Sequence, residues 1–106
     1  AAMSDIALVH ATFSSAAEAE KIGRAMVEEQ LAACVNLLGA CTSIYRWQDA
    51  VETGTEYRAL FKTTPLLARE LADRIGALHS YDLPVMEIWP AAAGDAVADW
   101  IDDSTR

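Results

Sequence analysis

The sequence predicts an α+β fold: one four-stranded antiparallel sheet with two helices on one face and a short helix at the C-terminus. Three observations predict it. Short β-patterned runs recur along the chain. Two helix-start signals, at Ser15–Glu18 and at Thr64–Pro65, each follow such a run. The chain has 106 residues, the size of one domain, so 1–106 is expected to fold as a single unit.

The first strand is "DIALVHATF", Asp5 to Phe13. Ile6, Leu8 and His10 share one face, and Ala7, Val9 and Ala11 the other. Both rows are mostly apolar, as in a central strand. Ser15 and Glu18 then match a capping box, in which the Ser accepts an orphan N–H and the Glu reaches back. The helix they open is expected to run to about Leu31. Ile22 and Met26 lie near one stripe with the small Ala19, Ala25 and Ala33, and Glu18, Lys21, Glu28 and Glu29 supply wet positions. Ala33 to Trp47 is expected as a second strand with a bulge or bend at Gly39. Polar "QDAVETG" reads as its connection to a third strand, Glu56 to Thr63. The two strands form a long hairpin with Tyr45 and Trp47 on one side and Ile44 and Arg46 on the other.

Thr64–Pro65 starts the second helix, because Thr caps and Pro is tolerated at the first helical position. Leu67, Leu71, Ile75 and Leu78 recur at helical spacing and predict its core face. "HSYDLP" interrupts. "VMEIWPAA" predicts a fourth strand closed by Pro90. Asp95 is expected to cap a terminal helix whose apolar face is Val97, Trp100 and Ile101. The order β-α-β-β-α-β is the ferredoxin-like split βαβ arrangement. Right-handed crossovers put both helices on one side of the sheet. The second face, also apolar, has no helix of its own and calls for cover by copies of the same chain.

Composition narrows the function. The net charge is −8 with neutral His, and the hydrophobic fraction is 53%. A generic nucleic-acid surface is disfavoured because phosphate affinity rests on Lys and Arg, and an anionic membrane is disfavoured for the same reason. No stretch is long enough to span a bilayer, and no secretory signal pattern opens the sequence. Cys34 and Cys41 are seven apart, which on a regular strand puts them on opposite faces and leaves them unpaired. Reducing surroundings, and hence a cytoplasmic location, are expected.

The familiar catalytic and phosphate-binding signatures are absent: no glycine-rich phosphate loop, no CxxC, no HExxH, no GxSxG. Cys34 reads as a small buried hydrophobe or as a soft ligand for copper or zinc. In the second case His79 is the foremost partner, with His10 or Met86 behind it. His79 also fits a structural role at a helix C-terminus, worth about 0.3–1 kcal/mol. Lys62 fits a snorkelling or edge-guarding Lys, a partner for Glu56 or Glu87, or an anion contact. Cys41 reads as core or strand surface. Tyr45 and Trp47 read as packing within or between chains before a ligand platform.

Taken together, "MVEEQLAACVNLLGACTSIYRW", "LFKTT", "LHSYDLP" and "PAAAGDAVADWI" resemble the CutA family, the divalent cation tolerance proteins. The likeness covers nearly the whole chain in order. It implies a ferredoxin-like protomer in a homotrimer, similar in architecture to the PII signalling proteins, with a cleft between subunits. It also implies binding of copper or another divalent cation; no enzymatic role is expected, because the residues show no base–nucleophile–orienter unit. Carried over by position, the resemblance implies metal ligands at Cys34 and His79 and a cleft lined by Asn36, Tyr45, Trp47, Lys62, Tyr81 and Trp100. The alternative it leaves is a PII-like signalling or scaffold trimer holding a small anion in that cleft. This chain departs from the family pattern in three places. His79-Ser80-Tyr81 replaces His-Pro-Tyr, the strand Glu comes late, at Glu87, and Asp49-Ala50 replaces Gly-Lys at the hairpin.

Overall fold

The computed structural model describes residues 2–106. The elements are β1 (Met3–Phe13), α1 (Ala16–Glu28), β2 (Cys34–Trp47), β3 (Ala50–Thr63), α2 (Ala68–Leu78), β4 (Met86–Gly94) and α3 (Asp95–Asp103). The strands form one sheet in the order β2-β3-β1-β4, with every pairing antiparallel. This is the expected ferredoxin-like arrangement, with α3 added.

Register decides which residues meet the helices. Val9 pairs with Phe61, Ala11 with Ala59, and Ala7 with Thr63. These residues are all buried, together with Ile22 and Met26 of α1 and Leu71 and Ile75 of α2. Alanines at 7, 11 and 59 keep that face low, so large side chains from the helices fill the space. Gly23 completes the fit, since a Cβ there would sit 3.0 Å from a methyl of Val35. The one polar side chain buried on this side among the described residues, Thr63, donates its hydroxyl to the Leu31 carbonyl at 2.7 Å.

The even-numbered residues of β1 point to the other face. Sequence reasoning left that face without a helix, and the structure corrects this in part. α3 folds over one end, where Ile101 is fully buried with Ile6 and Ala33 and is flanked by Leu8, Ala91, Ala93 and Ala98. The rest of the face, from His10 and Leu60 outward, lies open.

Several boundaries move for physical reasons. α1 ends at Glu28, not Leu31, because Gln30 takes a left-handed φ of 59° and the amides of Leu31 and Ala32 both turn back to the Met26 carbonyl. Within the capping box, Ser15 Oγ accepts from the Glu18 N–H at 3.1 Å as expected, while the Glu18 carboxylate reaches Ser14. α2 begins at Ala68. Thr64 accepts the Leu67 N–H and closes a preceding turn through Pro65. β3 begins at Ala50, so most of "QDAVETG" is strand. Only Gln48 and Asp49, at φ 49° and 65°, make the turn, a two-residue link of the type that suits strand twist. β4 runs through Pro90 to Gly94, because it is an edge strand where a missing N–H is tolerated. Asp95 is the first residue of α3, not its cap, and accepts from the Ser4 hydroxyl at 2.7 Å.

The bulge expected at Gly39 is present, at φ 85°, and it overturns the prediction for the cysteines. Cys34 pairs with Lys62 and Cys41 with Glu56. Lys62 and Glu56 share a face of β3, so the two cysteines share one as well. They are far apart along the strand, and both are free thiols.

Candidate functional site

β2, β3, β1 and β4 lay two rows of side chains across the face that α3 covers in part. One row is Cys34, Lys62, Leu8 and Trp89, and the next is Asn36, Leu60, His10 and Glu87. Cys34 is half-buried. Burial pushes its thiol up, and the charge of Lys62 opposes that shift without reversing it. Cys34 is therefore a protonated thiol at neutral pH, ready as a soft ligand only for an ion able to displace the proton. Lys62 has no carboxylate partner among the described residues, so its expected pairing with Glu56 or Glu87 does not form within the chain.

A second group of predicted residues lies beyond the end of β1. β1 stops at Phe13, opposite Tyr57, and the turn after α2 fills the space past it. His79 leaves α2 in an extended conformation. Its Nε2–H donates to the Thr12 carbonyl at 2.8 Å, and its Nδ1 accepts the Tyr81 N–H at 3.1 Å. These two bonds fix the tautomer. The ring stacks on Phe13 at 4.8 Å and 11°, and Tyr81 tilts against it at 4.7 Å. Tyr81 in turn donates to Glu56 at 3.0 Å. Burial first, then the Glu56 carboxylate, pushes the Tyr81 hydroxyl up to about 12.

Ser80, which stands where the family pattern has Pro, offers an N–H that Pro lacks. Glu18 accepts it at 2.8 Å. Burial acts to raise the Glu18 carboxyl, but hydrogen bonds from Ser80 and Ser14 outweigh burial and hold it below its usual range. The rigidity that a proline would give the turn is supplied here by a carboxylate clamp from α1.

The predicted metal ligands are not brought together within one chain. Cys34 lies at the level of Lys62 and Leu8, whereas His79 is tied to Thr12, four residues further along β1 or about 13 Å away. The ring of His79 also packs on Phe13 of the helix side, and Cys34 faces the open side. Among the described residues no group of three or more His, Cys, Asp or Glu is placed to hold a metal ion. Tyr45 and Trp47 stand on the hairpin arm that projects past β1, 47% and 49% exposed, and Trp100 is 48% exposed on α3. Asn36 is exposed opposite Leu60.

Sequence reasoning missed one constellation. His10, ranked there only as a reserve ligand, has both nitrogens engaged. Arg58 Nε donates to its Nε2 at 2.9 Å, and its Nδ1 meets Glu87 Oε1 at 3.0 Å. Trp89 stacks on the ring. The three partners come from two different strands, and only register could reveal them.

Comparison with known proteins agrees with the fold. The family described as CutA1 divalent ion tolerance protein matches residues 7–104. The divalent-cation tolerance protein CutA of Thermus thermophilus is 40% identical over 104 residues, covering 97% of this chain and 99% of that protein. The chloroplastic CutA of Arabidopsis thaliana is 32% identical over 100 residues, covering 93% of this chain and 55% of that protein. The crystal structure of CutA from Xylella fastidiosa superposes with a TM-score of 0.92 at 36% identity, over 97% of this chain and 100% of that one. A structure described as the periplasmic divalent cation tolerance protein CutA from Archaeoglobus fulgidus gives 0.90 at 32% identity, over 95% and 99%. The chain belongs to the CutA family of divalent-cation tolerance proteins. The family description names divalent ion tolerance. The expected cytoplasmic location is corrected: the Archaeoglobus relative is described as periplasmic, so the location does not follow from this fold and its unpaired cysteines.

Proposed function

We propose that this CutA-family chain folds over 1–106 as one domain and binds copper or another divalent cation as a homotrimer, with Cys34 and His79 as ligands in a cleft between copies. Asn36, Tyr45, Trp47, Lys62, Tyr81 and Trp100 line that cleft. The observation that carries the reading is the open sheet face with its projecting arm. Tyr45, Trp47 and Trp89 are exposed on that face, and Ile44 and Val51 on the other side of the arm, in a chain that otherwise packs a dense core. Apolar surface of this kind favours cover by copies of the same chain. Because one chain holds Cys34 and His79 apart, the reading requires the two ligands to come from neighbouring copies. His79 must also release Thr12 or Tyr81 to free a nitrogen.

Titration calorimetry of copper and of zinc into tag-free protein tests the site. Cys34→Ala and His79→Ala should each weaken binding by at least about tenfold. Unchanged binding in both variants rejects these ligands. Sedimentation at low micromolar concentration tests the assembly, and a folded single chain rejects it.

A second reading is a PII-like scaffold that holds a small anion. It is favoured by Lys62 and Arg58, two cations on one face of β3 with no carboxylate ion-pair partner among the described residues. Lys62→Gln should abolish any phosphate or carboxylate binding seen with the parent protein and leave copper affinity unchanged.

A further inference from the structure

His10 is 9% exposed, yet it sits on the sheet face that α3 leaves open. A guanidinium only donates hydrogen bonds, so the 2.9 Å contact from Arg58 Nε requires a lone pair on His10 Nε2. The proton must then be on Nδ1, where it is donated to Glu87 Oε1 at 3.0 Å. The ring is therefore neutral and held in one tautomer. Trp89 fixes its plane from beside it, with centroids 5.4 Å apart and planes within 9°.

We propose that His10 is a proton-operated latch for Arg58. Neutral His10 pins the guanidinium against the sheet. A proton taken up at Nε2 would set two donors head to head, so Arg58 swings off while the Nδ1–H bond to Glu87 remains. The charged groups facing the ring are Arg58 and Lys62 from β3 and Glu87 from β4. Glu87 favours the imidazolium, whereas Arg58 and Lys62 oppose it. Whatever their balance, an imidazolium has no acceptor to offer Arg58. Histidine is the side chain that ordinarily changes charge between about pH 5 and pH 8, the range over which the latch is tested. Its consequence for assembly rests on the proposed contact between copies. A guanidinium freed on that face disturbs the packing, so acid should loosen the trimer.

The full-length protein and His10→Gln test this. The Gln carbonyl can accept from Arg58 and its amide can donate to Glu87, but it does not titrate. Long-range proton–nitrogen NMR from about pH 8 to about pH 5.5 should show the Nδ1–H tautomer of His10 at the upper end. The Arg58 Nε–H signal should shift with the same midpoint as the His10 ring, and should stay fixed in His10→Gln. His79, the other histidine, is present in both proteins, so the difference isolates His10. An Nε2–H tautomer, or an Arg58 signal that ignores His10, overturns the latch. Sedimentation over the same range should show association weakening about tenfold or more in the parent and less than about twofold in His10→Gln, one proton's linkage being worth tenfold per pH unit. Equal weakening in both overturns the coupling to assembly. Single chains already at the upper pH would reject the proposed trimer instead, and the NMR result would still decide the latch.

Discussion

The two faces of the sheet solve opposite problems. The helix-covered face is built from Ala, Val and Phe, and Thr63, a polar side chain buried there, is satisfied by a backbone carbonyl. The open face carries Lys62, Arg58, His10, Glu87 and Asn36 among Leu8, Leu60 and Trp89. Each histidine belongs to one side. His79 stacks on Phe13 and bonds only backbone groups, with its proton on Nε2. His10 bonds only charged side chains, with its proton on Nδ1. Backbone partners do not titrate or move, so the first histidine braces a turn. Charged side chains can swing away, so the second can respond.

The largest expected effect sets these faces against each other. Phe61→Ala should destabilise the chain by about 3–5 kcal/mol in urea unfolding, because the cavity opens in a filled core. Leu60→Ala, its neighbour on the open face, should cost under about 1 kcal/mol as long as the chain is alone. If copies cover that face, the cost of Leu60→Ala will grow with protein concentration. Equal costs at low concentration would erase the distinction.

Next is Thr63→Val, which keeps the shape but leaves the Leu31 carbonyl without its donor. A loss of about 1–3 kcal/mol is expected, read from the same unfolding curves. Ser15→Ala removes the cap of α1 and should cost about 1 kcal/mol, seen as a lower thermal midpoint.

Tyr81→Phe probes the brace around His79. The unfolded hydroxyl titrates near 10 and the folded one near 12. The folded state thus holds this proton more tightly. Its contribution is complete below pH 10 and fades as the pH climbs through 12. The parent should lose stability over that window faster than Tyr81→Phe. Parallel curves would show that Glu56 and burial do not act through this hydroxyl.

Much of the fold was legible because it is written locally. Capping at Ser15, the Leu71–Ile75 stripe and the alternation of β1 each report their own element. The outer hairpin arm was not legible, because a strand exposed on both sides has no need of apolar alternation. "QDAVETG" therefore passed for a loop. The candidate site was half legible. Residue types marked Cys34 and His79, but their separation follows from strand register, which no spacing reveals. The link from Arg58 through His10 to Glu87 joins three strands and was invisible for the same reason.

The bulge at Leu37–Gly39 and the turn at Gln48–Asp49 answer to one counting rule. Had pairing continued evenly from Leu37 opposite Ala59, Trp47 would lie across from Asp49, leaving Gln48 alone to reverse the chain, which no hairpin can do. The surplus residue taken up at the base of the arm is what gives the tip a second residue to turn with. A change that irons out Gly39 should therefore announce itself at the far end of the arm, as a frayed tip that no longer holds its aromatic pair in one place.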